Sequence, residues 1–376
     1  MKIAFINQWG RGGGTIWDLR IAEELAEHGD EITFFIGDEG ENEQTCLLDK
    51  FDVTELSIID LADISKAAPR GVGGLLSDLN NTLFVRAVAE QIDPAKFDII
   101  MVNSKIETSR YVSEWETPTV IKLNGPPYSF WRDFTNPFSS SYSKLRYFDA
   151  VVATGVTIQQ IREQINIDVI RIDPGVDIDL FSPNWELDRC EKPIESLYVG
   201  RFAPSKNLPM LVNSFSTLAK QHSDVSLRLI GDGPLRDDIE SLVQDRQIED
   251  KVQFEGYIKQ EDLPKYYRGA RALILTSNHE SFGMTPIEAM SCGTPVISTR
   301  VGHMPNLINQ GENGFLVDIG DQKGLVDVMN RIISDPGLTR NLAANARKTV
   351  EDGYQWEQRA QKLRSLFKEL ANEKKP

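Results

Sequence analysis

Glu280 lies in a glycine-containing loop, HESFGMTP, and Glu288 follows eight residues later in PIEAM. A carboxylate fixed in such a loop accepts hydrogen bonds and donates none, which suits it to vicinal sugar hydroxyls. Two carboxylates at this spacing can hold two different polyols. The amides of Phe282, Gly283 and Met284, just ahead of a helix, form a nest for anionic or hydroxyl oxygens. Glu288 also has a simpler reading. Thr285, Pro286 and Glu288 match the N-cap, N1 and N3 positions of a capping box, in which the carboxylate only satisfies a backbone amide.

A second cluster is GRFAPSKN, Gly200–Asn207, where Arg201 and Lys206 stand five residues apart after the apolar run SLYV. Two cations across a tight loop could grip a doubly charged diphosphate, or simply face solvent. In LIGDGP, Gly231 and Gly233 permit close backbone approach while Asp232 closes the turn. The four histidines form no HExxH, and Cys46, Cys190 and Cys292 are too widely spaced for a zinc pattern or a disulfide framework. They read as buried structural thiols. Asp177 and Asp179 form a D-x-D in a turn-rich linker, where a hinge is the better reading than a metal site. His279 is expected to point away from its neighbour Glu280.

The elements that must position these residues alternate between β-rich runs and helical stretches. In the first half the runs are Lys2–Ile6, Glu31–Ile36, Asp98–Val102, Thr119–Leu123, Asp149–Thr154 and Val169–Ile172. A helix from about Ile16 to His28 follows the glycine-rich loop NQWGRGGGT. The second half repeats the rhythm with Ser196–Val199, Ser226–Gly231, Val252–Gly256, Ala272–Leu275, Pro295–Ser298 and Gly314–Val317. Alternation of this kind implies parallel sheets with helices on both faces, and each half is a doubly wound α/β unit. The charged, proline-punctuated stretch between Val176 and Pro193 separates them. The expected domains are 1–178, 179–352 and a last helical segment, 353–376, whose apolar Leu363, Leu366, Phe367 and Leu370 need a surface to cover. Ligands of open α/β sheets sit at the carboxyl ends of strands, so the cleft between two such sheets is the default site.

Composition bounds the partners. A chain of 376 residues exceeds one ordinary core. A net charge of −15 disfavours a sequence-independent grip on nucleic acid. Residues 1–175 hold 16 Lys and Arg against 27 Asp and Glu, so that half lacks an overall basic balance for anionic lipid, while a local basic patch remains open. No apolar run approaches the ~20 residues of a membrane span, and the start MKIAFINQW is too short for a secretory core. A cytoplasmic location is expected.

Together the E-x7-E of Glu280 and Glu288, the GRF-x-x-x-KN loop, the GDGP turn and the glycine loop after the first strand resemble the retaining GT-B glycosyltransferases of family 4. The similarity runs over the whole chain, with VDIDLF like the interdomain segment and the last helix like the one that crosses back to the first domain. The resemblance implies transfer of a sugar from a nucleoside diphosphate sugar, UDP favoured and GDP second, to an acceptor hydroxyl of a glycan, lipid-linked glycan or other molecule. It implies that Arg201 and Lys206 bind the diphosphate, that Glu288 holds the ribose, and that Glu280 contacts the transferred sugar together with the loop Ser281–Met284. Gly13 and Gly14 would let the first domain's loop close on the donor. Gly200 and Gly231 would be among the donor-binding residues, and Gly256, Tyr257 and Ile258 would border the base. No cofactor or essential metal is implied, since the nucleotide sugar is a substrate.

Two positions depart from the family pattern. Asn124, in KLNGPP, stands where many relatives have a histidine near the donor sugar, and an asparagine can hydrogen-bond but cannot carry a proton at neutral pH. VGHMPN has His303 and Asn306 where a second glycine and an acidic residue are common. These departures motivate a rival reading, a catalytically idle nucleotide-sugar binder. A nucleotide-cofactor oxidoreductase is weaker, because WGRGGGT does not space its glycines as G-x-G-x-x-G. The aromatic run Tyr128–Phe134 could stack on acceptor sugars or pack within the first domain.

Overall fold

Strands that are buried at every position, without alternation, are covered on both faces, as in parallel sheets flanked by helices. Ile99–Asn103, Thr119–Leu123 and Ala150–Ala153 are buried along their whole length, and so are Ala272–Leu275, Val296–Thr299 and Gly314–Val317. The computed structural model describes residues 1–7, 13–37, 50–56, 83–103, 108–123, 141–155, 168–185 and 194–373. It divides into two units, Met1–Pro174 with Trp356–Pro376, and Gly175–Gln355.

In the first unit the strands are β1 Lys2–Asn7, β2 Glu31–Gly37, β3 Asp52–Leu56, β4 Ile99–Asn103, β5 Thr119–Leu123, β6 Ala150–Ala153 and β7 Val169–Arg171. They pair in parallel in the order β3-β2-β1-β4-β5-β6-β7. Helix α1, Gly13–Glu27, follows β1, and α2 (83–91) precedes β4. Helix α3, Ser109–Val112, packs against the 3-10 segment Ser141–Tyr147. The sequence reading has no strand at β3. DVTEL carries two acids and a threonine in five residues, and as an edge strand it needs no continuous apolar run.

The second unit holds β8 Ile194–Val199, β9 Val225–Ile230, β10 Val252–Gly256, β11 Ala272–Leu275, β12 Val296–Thr299 and β13 Gly314–Val317, in the order β10-β9-β8-β11-β12-β13, all parallel. Its helices are α4 Leu208–Gln221, α5 Arg236–Asp245, α6 Leu263–Gly269, α7 Met284–Ser291, α8 Met304–Leu307, α9 Gln322–Ser334 and α10 Pro336–Gly353. Asp321 and Asp335 cap α9 and α10 by accepting from Gly324 N and Leu338 N at 2.8 and 2.9 Å.

The chain then enters α11, Trp356–Glu373, which belongs to the first unit and packs on α1. Its buried Ala360, Leu363 and Phe367 form the stripe that needed a surface, and Arg364 donates to Asp30 at 2.7 Å and to His28 O at 3.0 Å. Each unit has its own apolar core, one around Phe84, Ile100 and Ile121, the other around Phe215, Leu229 and Ile274.

Candidate functional site

In the second sheet β8 lies between β9, its successor in sequence, and β11, so the chain order reverses direction beside β8. The carboxyl ends of β8 and β11 therefore flank a topological switch point, where open α/β sheets bind ligands. Arg201 and Lys206 follow β8, and Glu280 follows β11.

The two loops are stitched together. Thr276 Oγ1 donates to Lys206 O at 3.1 Å or Asn207 O at 3.0 Å, Asn278 N to Ser205 O at 2.8 Å, and Asn207 Nδ2 to Asn278 Oδ1 at 3.1 Å. Asn207 takes a left-handed conformation, φ +47°, between the 3-10 turn Pro204–Lys206 and α4. This brings Lys206 Nζ into a salt bridge with Glu280 Oε2, both side chains about one-fifth exposed. Arg201 is exposed and makes no ion pair among the described residues. Tyr198 donates from its hydroxyl to Arg201 O at 3.0 Å. Burial, and then the charge of Glu280, push that phenol well above its ordinary range.

Glycines shape the floor. Gly231 has φ +128°, and a Cβ there would strike the backbone of Gly200, so only glycine lets the β9 turn close on the β8 turn. Asp232 accepts from Gly233 N at 2.7 Å and its carbonyl accepts from Phe202 N at 2.9 Å, a turn-closing role. Gly302, φ +54°, lies against the backbone of Glu280 and Ser281 in the same way.

Glu288 does not form the expected capping box. Gly283, φ +85°, is the N-cap of α7, no side chain caps the helix, and Glu288 is its fifth residue. Because the glycine lets the helix begin ahead of Thr285, Glu288 is carried past the N-terminal amides. It is only 3 % exposed and turns instead to the segment before and within α6. Gln260 Nε2 donates to one carboxylate oxygen and Tyr267 Oη to the other, both at 2.8 Å. Burial raises its pKa above the ordinary carboxylate value, against the opposing effect of these two hydrogen bonds. Burial and the neighbouring Glu288 push Tyr267 well up, so it remains a donor. Each oxygen keeps a further lone-pair direction for another hydroxyl.

The rest of the loop is held from behind. Phe282 is buried and its ring stacks on His303 with centroids 4.7 Å apart, and His303 Nε2 lies 2.8 Å from Tyr354 Oη. The His303 departure from the family pattern thus supplies a support for Phe282. Tyr257 is 73 % exposed, beside Gly256 at φ +69° and the partly buried Ile258. Ser281, Gly283 and Met284 are partly exposed, and His279 is exposed. Gly13 and Gly14, expected in a loop, are the first two residues of α1. The amides of these first-turn positions lack intrahelical partners. Asn124, the aromatic run Tyr128–Phe134, Cys46 and Cys190 lie outside the described residues. Cys292 is buried, and Asp177 Oδ1 accepts from Asp179 N and Leu180 N at 3.2 and 2.9 Å, as a turn residue does.

The first unit contains a cluster the sequence reading missed. At the switch between β1 and β4, Asp18 accepts from Asn7 Nδ2 at 2.6 Å, from Asn103 Nδ2, and from Lys122 Nζ at 2.5 Å. Lys122 lies 4.1 Å from the Trp17 ring centre. All of these residues are buried. Burial raises Asp18 and lowers Lys122, and each opposes the other's shift. A lysine inside the apolar strand TVIKL and an acid amid Trp17 and Leu19 on α1 were the available signals.

Residues 184–349 match the family model described as glycosyl transferases group 1. N-acetyl-alpha-D-glucosaminyl L-malate synthase of Bacillus anthracis is 32% identical over 199 residues, 53% of this chain and 51% of the relative. Mannosylfructose-phosphate synthase of Agrobacterium fabrum is 33% identical over 210 residues, 52% and 46%. The chain spans about half the length of these curated relatives. The fold is shared more widely. Sucrose-phosphate synthase from Thermosynechococcus elongatus superposes with a TM-score of 0.77 at 23% identity, covering 98% of this chain and 99% of that one. Anabaena HepE in complex with UDP gives 0.74 at 20%, covering 98% and 100%. No helix among the described residues is long and apolar enough to cross a membrane. With both sheets parallel and the second unit holding the segment that matches glycosyl transferases group 1, the chain has the GT-B fold.

Proposed function

We propose that this chain is a retaining glycosyltransferase, moving a sugar from a nucleoside diphosphate sugar to an acceptor hydroxyl. A UDP-sugar is the favoured donor and a GDP-sugar the second, a preference supported by the UDP bound to HepE of the same fold. The observation that carries the reading is the meeting of Lys206 and Glu280 across two stitched loops at the β8/β11 switch. It brings a cation and a carboxylate to one point, with Arg201, which makes no ion pair among the described residues, in the same loop as Lys206.

A diphosphate arriving at Lys206 competes with Glu280 for that cation. Once displaced, the Glu280 carboxylate is available to sugar hydroxyls, so occupancy by the nucleotide readies the sugar contact. Arg201 and Lys206 then stabilise the charge that grows on the departing diphosphate, and this differential stabilisation lowers the barrier. The bond from the anomeric carbon to the phosphate oxygen breaks, and the acceptor oxygen bonds to the same face. The acceptor proton passes to the leaving phosphate oxygen. No enzymatic nucleophile or essential metal takes part, the two cations supplying the positive charge. Glu288 accepts from the ribose hydroxyls while Gln260 and Tyr267 keep its oxygens aimed.

A thermal-shift panel of UDP, GDP, ADP and their common sugar conjugates tests this, since a ligand that binds only the folded chain raises its melting temperature. A UDP- or GDP-sugar should raise it and be turned over slowly to free nucleoside diphosphate. Binding without release, even with acceptor extracts, would favour the idle binder, and no shift from any nucleotide would remove the reading.

A further inference from the structure

The first unit carries a basic cavity that none of this chemistry uses. It has a volume of about 450 Å³ and is lined by Ser109, Arg110, Ser113, Lys144, Arg146 and Tyr147, where α3 packs on the 3-10 segment Ser141–Tyr147. On the same unit Arg86 pairs with Glu90 at 2.8 Å and Arg171 with Asp173 at 2.5 Å. Arg110, Lys144 and Arg146 make no ion pair among the described residues. Three like charges around one concavity repel one another, and they do so in a half of the chain where acids outnumber bases by 27 to 16. Charge left without an ion pair among the described residues points to an external anion.

We propose that this cavity binds a phosphate-bearing group, a phosphomonoester or phosphodiester. Arginine forks match phosphate oxygens two at a time, lysine adds a mobile point charge, and the serine hydroxyls are further donors. Tyr147, 51 % exposed, offers a ring at the rim for the apolar or sugar part attached to the phosphate. Such a group comes from either a soluble phosphorylated molecule or a phospholipid headgroup at a membrane surface. The site lies wholly on the first unit and shares no residue with those assigned to the donor.

The intact chain is titrated by calorimetry with inorganic phosphate and with glycerol 3-phosphate. In parallel it is sedimented with vesicles of phosphatidylcholine alone or mixed with phosphatidylglycerol. Binding is expected in at least one arm, and the positive arm identifies the source. The triple variant Arg110→Ala, Lys144→Ala, Arg146→Ala should lose it by at least tenfold, roughly 100-fold in the vesicle arm if each cation acts independently. A control triple of equal charge change, Lys96→Ala, Lys323→Ala, Lys348→Ala, should keep it. Should the triple variant melt early, Arg146→Glu alone reads the same loss. Absence of binding in every arm, retention by the triple variant, or equal loss in the control overturns the site. None of these results bears on nucleotide binding by the second unit, which the thermal-shift panel reads separately.

Discussion

Under the proposed function Lys206 and Glu280 each have two claimants, one another and a ligand group of opposite character. Replacing Glu280 by Gln removes the competitor for Lys206 but also the charge that best accepts sugar hydroxyls. The variant should therefore bind UDP or GDP at least as tightly as the parent by calorimetry, while transfer falls by roughly 100-fold or more, a loss confined to the reacting complex. Parental turnover would remove the sugar contact. Glu288 gives a pH signature. Its folded pKa is raised by burial above the ordinary 4.5, so the folded state holds its proton to higher pH than the unfolded chain. Its contribution to stability is thus fullest below pH 4.5 and declines as pH rises through the folded value. In denaturant titrations Glu288→Gln should gain stability relative to the parent between acid and neutral pH, and a difference independent of pH would contradict this. The motif residues were legible because their types and spacing fall within short stretches, Gly200–Asn207 and Glu280–Glu288. Gln260 and Tyr267 were not, since they reach Glu288 from 28 and 21 residues away and belong to no pattern of their own.

At the scale of elements, apolar runs located most strands to within a residue or two, whereas β3 escaped because an edge strand can be half polar. The capping-box reading failed for a local reason: a glycine with positive φ began α7 early and freed Glu288 for α6. The buried Asp18–Lys122 pair joins α1 to β5 across 104 residues, a contact no local pattern announces. Removing one charge leaves the other buried without its counter-ion. Asp18→Asn and Lys122→Met should each destabilise the first unit by about 3–5 kcal/mol, and the double change Asp18→Leu, Lys122→Met by much less than their sum. Additive losses in denaturant unfolding would show that the two groups do not act as a pair.

For the whole molecule, the repeated strand–helix rhythm made two parallel α/β units legible, and the agreement with solved GT-B folds extends over 98% of the chain. What the rhythm could not supply is which loops become helix starts, as Gly13 and Gly14 did. Separate cores imply separable unfolding, and α11 is the segment that returns to the first unit after the second is complete. Deleting residues 356–376 strips Trp356, Leu363 and Phe367 from the first unit and removes Arg364 from Asp30. Calorimetry should then show that unit's transition lowered or lost and the second unit's retained, and an unchanged profile would contradict the docking role. The most direct measurement of the proposed donor site is calorimetric titration of UDP and GDP into the parent chain and the Arg201→Ala, Lys206→Ala double variant. Binding of at least one nucleotide to the parent, weakened about 100-fold or more in the double variant, is the expected result. Equal affinity in the two proteins would contradict a diphosphate held by these cations.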